Sequence, residues 1–355
     1  MSVPTFVVGT GRCGSTMLSN MLREHPHVLS LSEFYGVVTD GSRTAEPFTS
    51  EPMDGRRFWS IVAAITPFYS LQVRHRIKCD ELLYPCDAPD ARFSSQTGVP
   101  AILMTTLPHL TKDHDRLFEF LQDEVNKWPR AAISEQYKHL FGWLADHFGK
   151  RLWVERSGAS LGMTEQLLAM FPDARFVHIT RDGRDAALSM QEHRGFRLAF
   201  VMMSLAEVLG VDPLESADRT HIARVPEHLR PLLPERFDAD AFRAFHVPLR
   251  FCGAIWAQHI ENGLKLLSVL PADRLLTLRY EDFFVDAKKQ LDTFTAFLGD
   301  EFVDGGWSAR CAATVRKPKA TWRDLPEAEA HALTEACRPG FERLRAAGVY
   351  YDVSD

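Results

Sequence analysis

Thr5-Phe6-Val7-Val8-Gly9-Thr10-Gly11-Arg12-Cys13-Gly14-Ser15-Thr16-Met17-Leu18 runs from an apolar β-segment through a glycine-rich turn into an amphipathic segment. Met17, Leu18, Met21 and Leu22 recur at helical spacing. A strand, a Gly-rich loop and a helix start, in that order, offer backbone N–H groups and the positive end of a helix dipole to an anion. Gly9-x4-Gly14-x-Thr16 is the spacing of a phosphate loop, with Ser15 where that motif carries lysine. A nucleoside triphosphatase needs the lysine against its phosphates and an acid on Mg²⁺ at another strand end. Ser15 cannot supply that charge, and no other apolar run ends in an obvious Mg²⁺-binding aspartate. The nearby cation is Arg12, three residues before the missing lysine. Its guanidinium fork, with the N–H groups of Gly14, Ser15 and Thr16, suits a tetrahedral oxyanion without a metal.

Outward from this loop the chain alternates strands and helices. Val28–Leu31 reads as a second strand after Pro26 ends the first helix, and it delivers Glu33 at its exit. Leu152–Glu155, Ala174–Thr180 and Leu275–Leu278 read as further strands. Helices are expected near 160–170, from Ala186, over 249–270, over 286–298 and over 325–347. This order predicts an α/β fold, a P-loop-like doubly wound parallel sheet flanked by helices, with ligands at the carboxyl ends of its strands. Residues 40–150 and 195–245 differ in kind, being rich in Pro, Gly, Asp and aromatic residues. They are expected as mostly helical cap insertions in a single domain spanning 1–355, with helical stretches at 57–65, 115–126 and 134–149.

Composition narrows the partners. The 355 residues carry a formal net charge of −6, against the broad positive surface that nucleic acid or an anionic membrane requires. Six cysteines, at 13, 79, 86, 252, 311 and 337, show no metal spacing, although Cys79 and Cys86 could pair in an oxidising compartment. No run of about 18 apolar residues occurs, and the N-terminus enters a strand directly; a cytoplasmic protein is expected, with peripheral membrane contact left open. Oligomeric state is not readable.

A second basic strand end supports the first. Arg181 follows the strand at 174–180, and Ser189 lies about two helical turns on, so both could approach one phosphate. Asp182, Arg184 and Asp185 are expected to pin this turn with local ion pairs. Arg316-Lys317-Pro318-Lys319-Ala320-Thr321-Trp322-Arg323 is a third cationic stretch. Together the loop at 9–16, the Arg181 and Ser189 pair, Leu278-Arg279-Tyr280-Glu281-Asp282 and the basic loop near 316 resemble the sulfotransferases that use 3′-phosphoadenosine 5′-phosphosulfate (PAPS). The Arg-Cys-Gly-Ser-Thr loop is closer to the bacterial and tyrosylprotein branches than to the cytosolic one. The resemblance covers the sheet-forming half of the chain.

That resemblance implies Arg12, Cys13, Gly14, Ser15 and Thr16 at the phosphosulfate, Arg181 and Ser189 at the 3′-phosphate, and binding roles for Arg316 and Lys317, which Pro318 departs from the family pattern to follow. It implies no metal. Glu33, whose offset after His25-Pro26 matches the tyrosylprotein enzymes' catalytic glutamate, would be the base and Arg12 would take up leaving-group charge. A helix-start acid beside Ser32 is the alternative for Glu33. His109, His114 and His139 are the histidines within reach of an acceptor; His25 and His178 read as structural. Arg156 and Ser157 are expected as donors to the nucleotide, with Gly158 replacing the family's proline. Arg279-Tyr280-Glu281-Asp282 is expected to pack and to cap the following helix. The acceptor would be a small or lipid-linked alcohol. An Mg-ATP-dependent small-molecule kinase and a non-enzymatic nucleotide-binding scaffold are the competing readings.

Overall fold

The structure is a computed structural model that describes residues 3–318 and 321–353. Its centre is a parallel sheet of β1 (Thr5–Val8), β2 (Val28–Ser32), β3 (Leu152–Arg156), β4 (Arg175–Thr180) and β5 (Leu275–Arg279), in the order β2-β3-β1-β4-β5. Register is continuous across it, with Thr5 opposite both Val154 and Arg175, and Phe176 opposite Leu275.

Helices on both faces explain why the strands are so apolar: each buries both sides. Alternation within the strands sorts the residues. Phe6, Val8, Leu29, Trp153 and Phe176 face one core, and Val7, Val28, Val154, Val177 and Ile179 face the other. The second core is closed by α1 (Ser15–Arg23) and by two later helices, at Phe283–Leu298 and Gly305–Ala312. The first face takes the long insertion: α2 (Phe34–Val38), α3 (Gly55–Val62), α4 (Pro67–Arg74), α5 (Ala101–Met104), α6 (Thr106–Leu110), α7 (His114–Val125) and α8 (Ile133–His147). It continues with α9 (Thr164–Met170), α10 (Gly183–Glu192), α11 (Arg194–Leu209), α12 (Ala239–Ala244) and α13 (Leu249–Leu267). The chain then makes α14 (Phe283–Leu298), α15 (Gly305–Ala312) and α16 (Glu327–Ala346). Phe58, Trp59, Tyr137 and Phe141 of the insertion share one apolar cluster with Phe6 and Trp153 of the sheet.

The expected strands and helices fall within a few residues of these bounds, whereas α2, α4, α5, α6, α11, α12 and α15 were not individually expected. The Gly-rich stretch after residue 298 contains α15, whose first N–H groups at Gly306 and Trp307 are capped by Asp304 at 2.9 Å. Pro67 sits at the start of α4, where its missing N–H costs nothing. All six cysteines are free thiols, so Cys79 and Cys86 do not pair. No helix among the described residues is long and apolar enough to cross a membrane.

Candidate active site

The carboxyl ends of β1, β2, β3 and β4 bring four loops together. After β1 the chain takes positive φ at Gly11, Arg12 and Gly14 before α1 starts at Ser15. Gly14 is the position that only glycine fits: φ is 91°, and a Cβ there would lie 2.2 Å from the Tyr280 ring. Tyr280 therefore packs as expected. The acids beside it do not cap α14. Glu281 instead accepts from the Asp182 N–H (2.9 Å) and the Tyr351 hydroxyl (3.2 Å), and Asp282 lies 3.8 Å from Arg279.

Three predicted anion-binding residues converge at this loop. Arg12 Nε donates to Ser189 Oγ on α10 (3.0 Å), and Arg181 donates to the Arg12 carbonyl (3.0 Å) while lying over the Tyr280 ring. Arg12 holds φ of 56°, an uncommon conformation for a residue with a Cβ. Cys13 is fully buried beneath the loop, with its thiol pushed up by burial. Asp182 caps α10 at Arg184 N (3.0 Å) and pairs with the buried Arg184 guanidinium, as expected, while Asp185 accepts the Trp322 N–H (2.8 Å) rather than forming an ion pair. Arg184 also stacks on Trp322, 3.7 Å from its ring centre. Arg316 is exposed and turns onto the carbonyls of Ala313 and Val315; Lys317 is exposed, and Lys319 and Ala320 lie outside the described residues.

Glu33 follows β2, also at φ of 56°. It is the residue before α2, and its side chain caps no helix N–H. The carboxylate pairs with the Arg156 guanidinium through Oε1 and accepts the Gly158 N–H through Oε2 (2.8 Å). Burial pushes the Glu33 carboxyl above the ordinary glutamate value, and Arg156 and the Gly158 bond pull it back. Gly36 and Gly158 pass close to the buried carboxylate: a Cβ at Gly36 would stand 2.9 Å from Oε2, and one at Gly158 3.3 Å from Oε1.

Arg156 and Ser157 are both engaged by partners within the protein. Arg156 is buried on Glu33 and the Ser32 hydroxyl (2.9 Å), and Ser157 donates to Glu155 (2.5 Å) while accepting the Gly36 N–H (2.9 Å). Glu155, wholly buried, has its carboxyl pushed up to about 8 by desolvation. These residues support Glu33 and its loop from behind.

Beside Glu33 opens a cavity of about 380 Å³, walled by Val37, Phe68, Tyr69, Leu82, Phe196 and Met203. None of His109, His114 and His139 reaches it. His109 is buried 3.3 Å from Ser30 Oγ, His114 sits against Tyr84, and His139 stacks on Trp128. His25, bonded to the Phe302 carbonyl, and His178, buried in β4, are structural as expected.

The histidine that does line the cavity is His193, which the sequence did not single out; nor did it single out Glu81. Phe196 N–H donates to His193 Nδ1 (3.2 Å), so Nε2 carries the hydrogen and donates to Glu81 Oε2 (3.0 Å). The other Glu81 oxygen accepts from Arg12 (3.2 Å). Burial pushes the Glu81 carboxyl up, but His193 and Arg12 outweigh it and hold it at about 2. Cys79, Glu81 and His193 place possible ligand atoms within 4.8 Å of one another, yet both His193 nitrogens are already committed.

Comparison with known proteins places the chain in a family. A model described as the sulfotransferase family matches residues 4–238, more than half of the chain, and a sulfotransferase-domain model matches residues 163–315. No curated protein matches the chain. Solved structures that resemble it include the sulfotransferase domain from the curacin biosynthetic pathway, at 14% identity, covering 94% of this chain and 97% of that one with a TM-score of 0.41. The sulfotransferase domain of the Synechococcus PCC 7002 olefin synthase is 17% identical over 94% of this chain and 95% of that one, with a TM-score of 0.41. A sulfotransferase from Alicyclobacillus acidocaldarius is 15% identical over 98% and 96%, with a TM-score of 0.40. On the extent of the family match, the chain belongs to the sulfotransferase family.

Proposed function

We propose that this protein transfers the sulfuryl group of PAPS to a hydroxyl of a small, largely apolar alcohol, releasing adenosine 3′,5′-bisphosphate. The observation that carries the reading is the meeting of two half-sites. Arg12, Arg181 and Ser189 gather at the β1 loop, and Glu33 faces the adjoining apolar cavity. Arg12 with the N–H groups of Gly14, Ser15 and Thr16 would hold the 5′-phosphosulfate, and Arg181 with Ser189 the 3′-phosphate. Cys13 serves by packing under the loop, and Arg316 and Lys317 would reach the nucleotide from their exposed positions.

Sulfuryl transfer breaks the S–O bond to the phosphate and forms one to the acceptor oxygen. Such a reaction asks chiefly for in-line placement and for charge stabilisation on the departing oxygen. Arg12 supplies that charge. Glu33 takes the acceptor's proton as the new bond forms, its basicity raised by burial and kept ionisable by Arg156. No step draws on a metal.

The cap segments at 40–150 and 195–245 contribute the acceptor wall, Phe68, Tyr69 and Leu82 from the first and Phe196 and Met203 from the second. The enclosed volume suits a molecule of small-metabolite size or the apolar end of a lipid-linked alcohol.

The test is thermal stabilisation by adenosine 3′,5′-bisphosphate in EDTA, against Mg-ATP, for the wild type and Arg181→Ala. A ligand at a hundredfold excess over Kd contributes about 2.7 kcal/mol, a visible shift. Stabilisation by the bisphosphate that is lost in Arg181→Ala is expected. Stabilisation by Mg-ATP alone would move the assignment to a kinase. Glu33→Gln, assayed by sulfate transfer from labelled PAPS to a panel of apolar alcohols, should lower turnover and leave bisphosphate binding in place.

A further inference from the structure

The Arg12 guanidinium is already occupied by an anion. Glu81 reaches it from the insertion, with Oε1 3.2 Å from Nη1, in a partly buried ion pair whose side chains are 27% and 19% exposed. This carboxylate is fixed in place. His193 donates to its second oxygen, and the Thr105 hydroxyl holds the Glu81 carbonyl at 2.6 Å. Ser189 and His193 stand four residues apart along α10 and its end. One grips Arg12 and the other grips Glu81, so a single turn of chain presents the two partners to each other.

We propose that Glu81 is a positioning residue that occupies the donor's anion seat until the donor displaces it. The inference rests on the PAPS reading above. A phosphosulfate oxygen and the Glu81 carboxylate are both anions, and both seek the same guanidinium edge. Holding them together there costs like-charge repulsion in a poorly solvated place. Donor entry therefore breaks the Arg12–Glu81 contact, and Glu81 keeps His193 as its partner. Because Glu81 and His193 also line the acceptor cavity, the change in one seat alters the wall of the other. Coupling of this kind is reciprocal: whatever holds Glu81 on Arg12 opposes the donor, and the donor remodels the acceptor seat by the same free energy.

The measurement is calorimetric titration of adenosine 3′,5′-bisphosphate into the wild type, Glu81→Gln, Glu81→Ala, Arg12→Ala and the Arg12→Ala/Glu81→Gln double variant, with melting curves confirming that each is folded. Removing the competing charge should tighten the bisphosphate roughly tenfold in Glu81→Gln, equivalent to about 1.4 kcal/mol. Glu81→Ala should tighten it in the same direction. The gain should vanish in the Arg12→Ala background, because the competition acts through that guanidinium. A purely structural role for Glu81 would weaken binding or leave it unchanged, and either result overturns the inference while leaving the donor reading intact. A gain that persists without Arg12 also overturns it, since the effect would then be a general field. Failure of the bisphosphate to bind the wild type and both Glu81 variants would overturn the donor reading, and this inference with it.

Discussion

The Glu33 carboxylate and the Arg156 guanidinium face each other at the carboxyl ends of β2 and β3, both almost wholly buried. Ser32, opposite Arg156 in the sheet register, donates the rest of the setting, since its hydroxyl accepts from the same guanidinium. Arg156 is the last residue of β3, and Glu33 is the residue after β2, at the turn into α2.

The two partners respond differently to removal. Glu33→Ala leaves a guanidinium that cannot give up its proton stranded in the interior, and loss of one member of a buried pair costs about 3–5 kcal/mol. Arg156→Ala leaves a carboxyl that can take a proton instead. We expect urea unfolding at pH 5 to find Arg156→Ala less destabilised than Glu33→Ala, with the gap narrowing as pH rises and the orphaned carboxylate ionises. Equal destabilisation of the two variants at pH 5 would contradict the pairing.

Glu155 provides a pH signature of the support beneath the site. Burial raises its carboxyl from an ordinary 4.5 to about 8 in the folded protein. A raised folded-state value means that the folded chain binds more protons than the unfolded one between those limits. Its contribution is therefore fully present below about pH 4.5 and is lost as pH rises through about 8. Glu155→Gln, which keeps an acceptor for Ser157, should flatten the fall in melting temperature over that window. Identical pH slopes for variant and wild type would remove Glu155 as its source.

Much of this site was legible because its parts sit where strands end. The apolar run Thr5–Val8, the glycines that follow, and Arg181 directly after β4 carry their positions in local pattern. Glu33 was readable for the same reason. Glu81 and His193 were not: they lie 112 residues apart, in segments without periodicity, and meet only through the folded cap. Arg156 and Ser157 were legible as residues of the sheet end, but their carboxylate partners were not. Local sequence does not tell which buried carboxylate a strand-end arginine will find, and here Glu33 and Glu155 claim both side chains. The histidines of the insertion lie outside the cavity lining: His139 stacks on Trp128, His114 packs on Tyr84, and His109 bonds to the Ser30 hydroxyl.

Gly14 offers a test of the loop that does not depend on turnover. An alanine there must hold φ of 91°, which costs about 1–2 kcal/mol for a residue with a Cβ, and its methyl would overlap the Tyr280 ring. Overpacking adds about 1–3 kcal/mol. Gly14→Ala should lower the unfolding free energy by the sum of these effects. Adding Tyr280→Ala should return only the packing part and leave the backbone part. Full rescue would mean that the ring alone, and not the left-handed backbone, demands glycine.

The two half-sites separate most cleanly at Ala199. This residue of α11 lines the cavity beside Phe196 and Met203, and no anion-loop contact passes through it. Ala199→Trp would fill much of the about 380 Å³ available to an acceptor. Burying an indole ring there should raise the acceptor KM or abolish transfer to bulky apolar alcohols, while adenosine 3′,5′-bisphosphate binds with unchanged affinity. Smaller acceptors should be spared most, so the ranking of a graded alcohol series should tilt toward short chains. Retained turnover of the bulkiest alcohol would place the acceptor outside this cavity. A parallel loss of bisphosphate affinity would mean that the cavity and the β1 loop form one undivided seat.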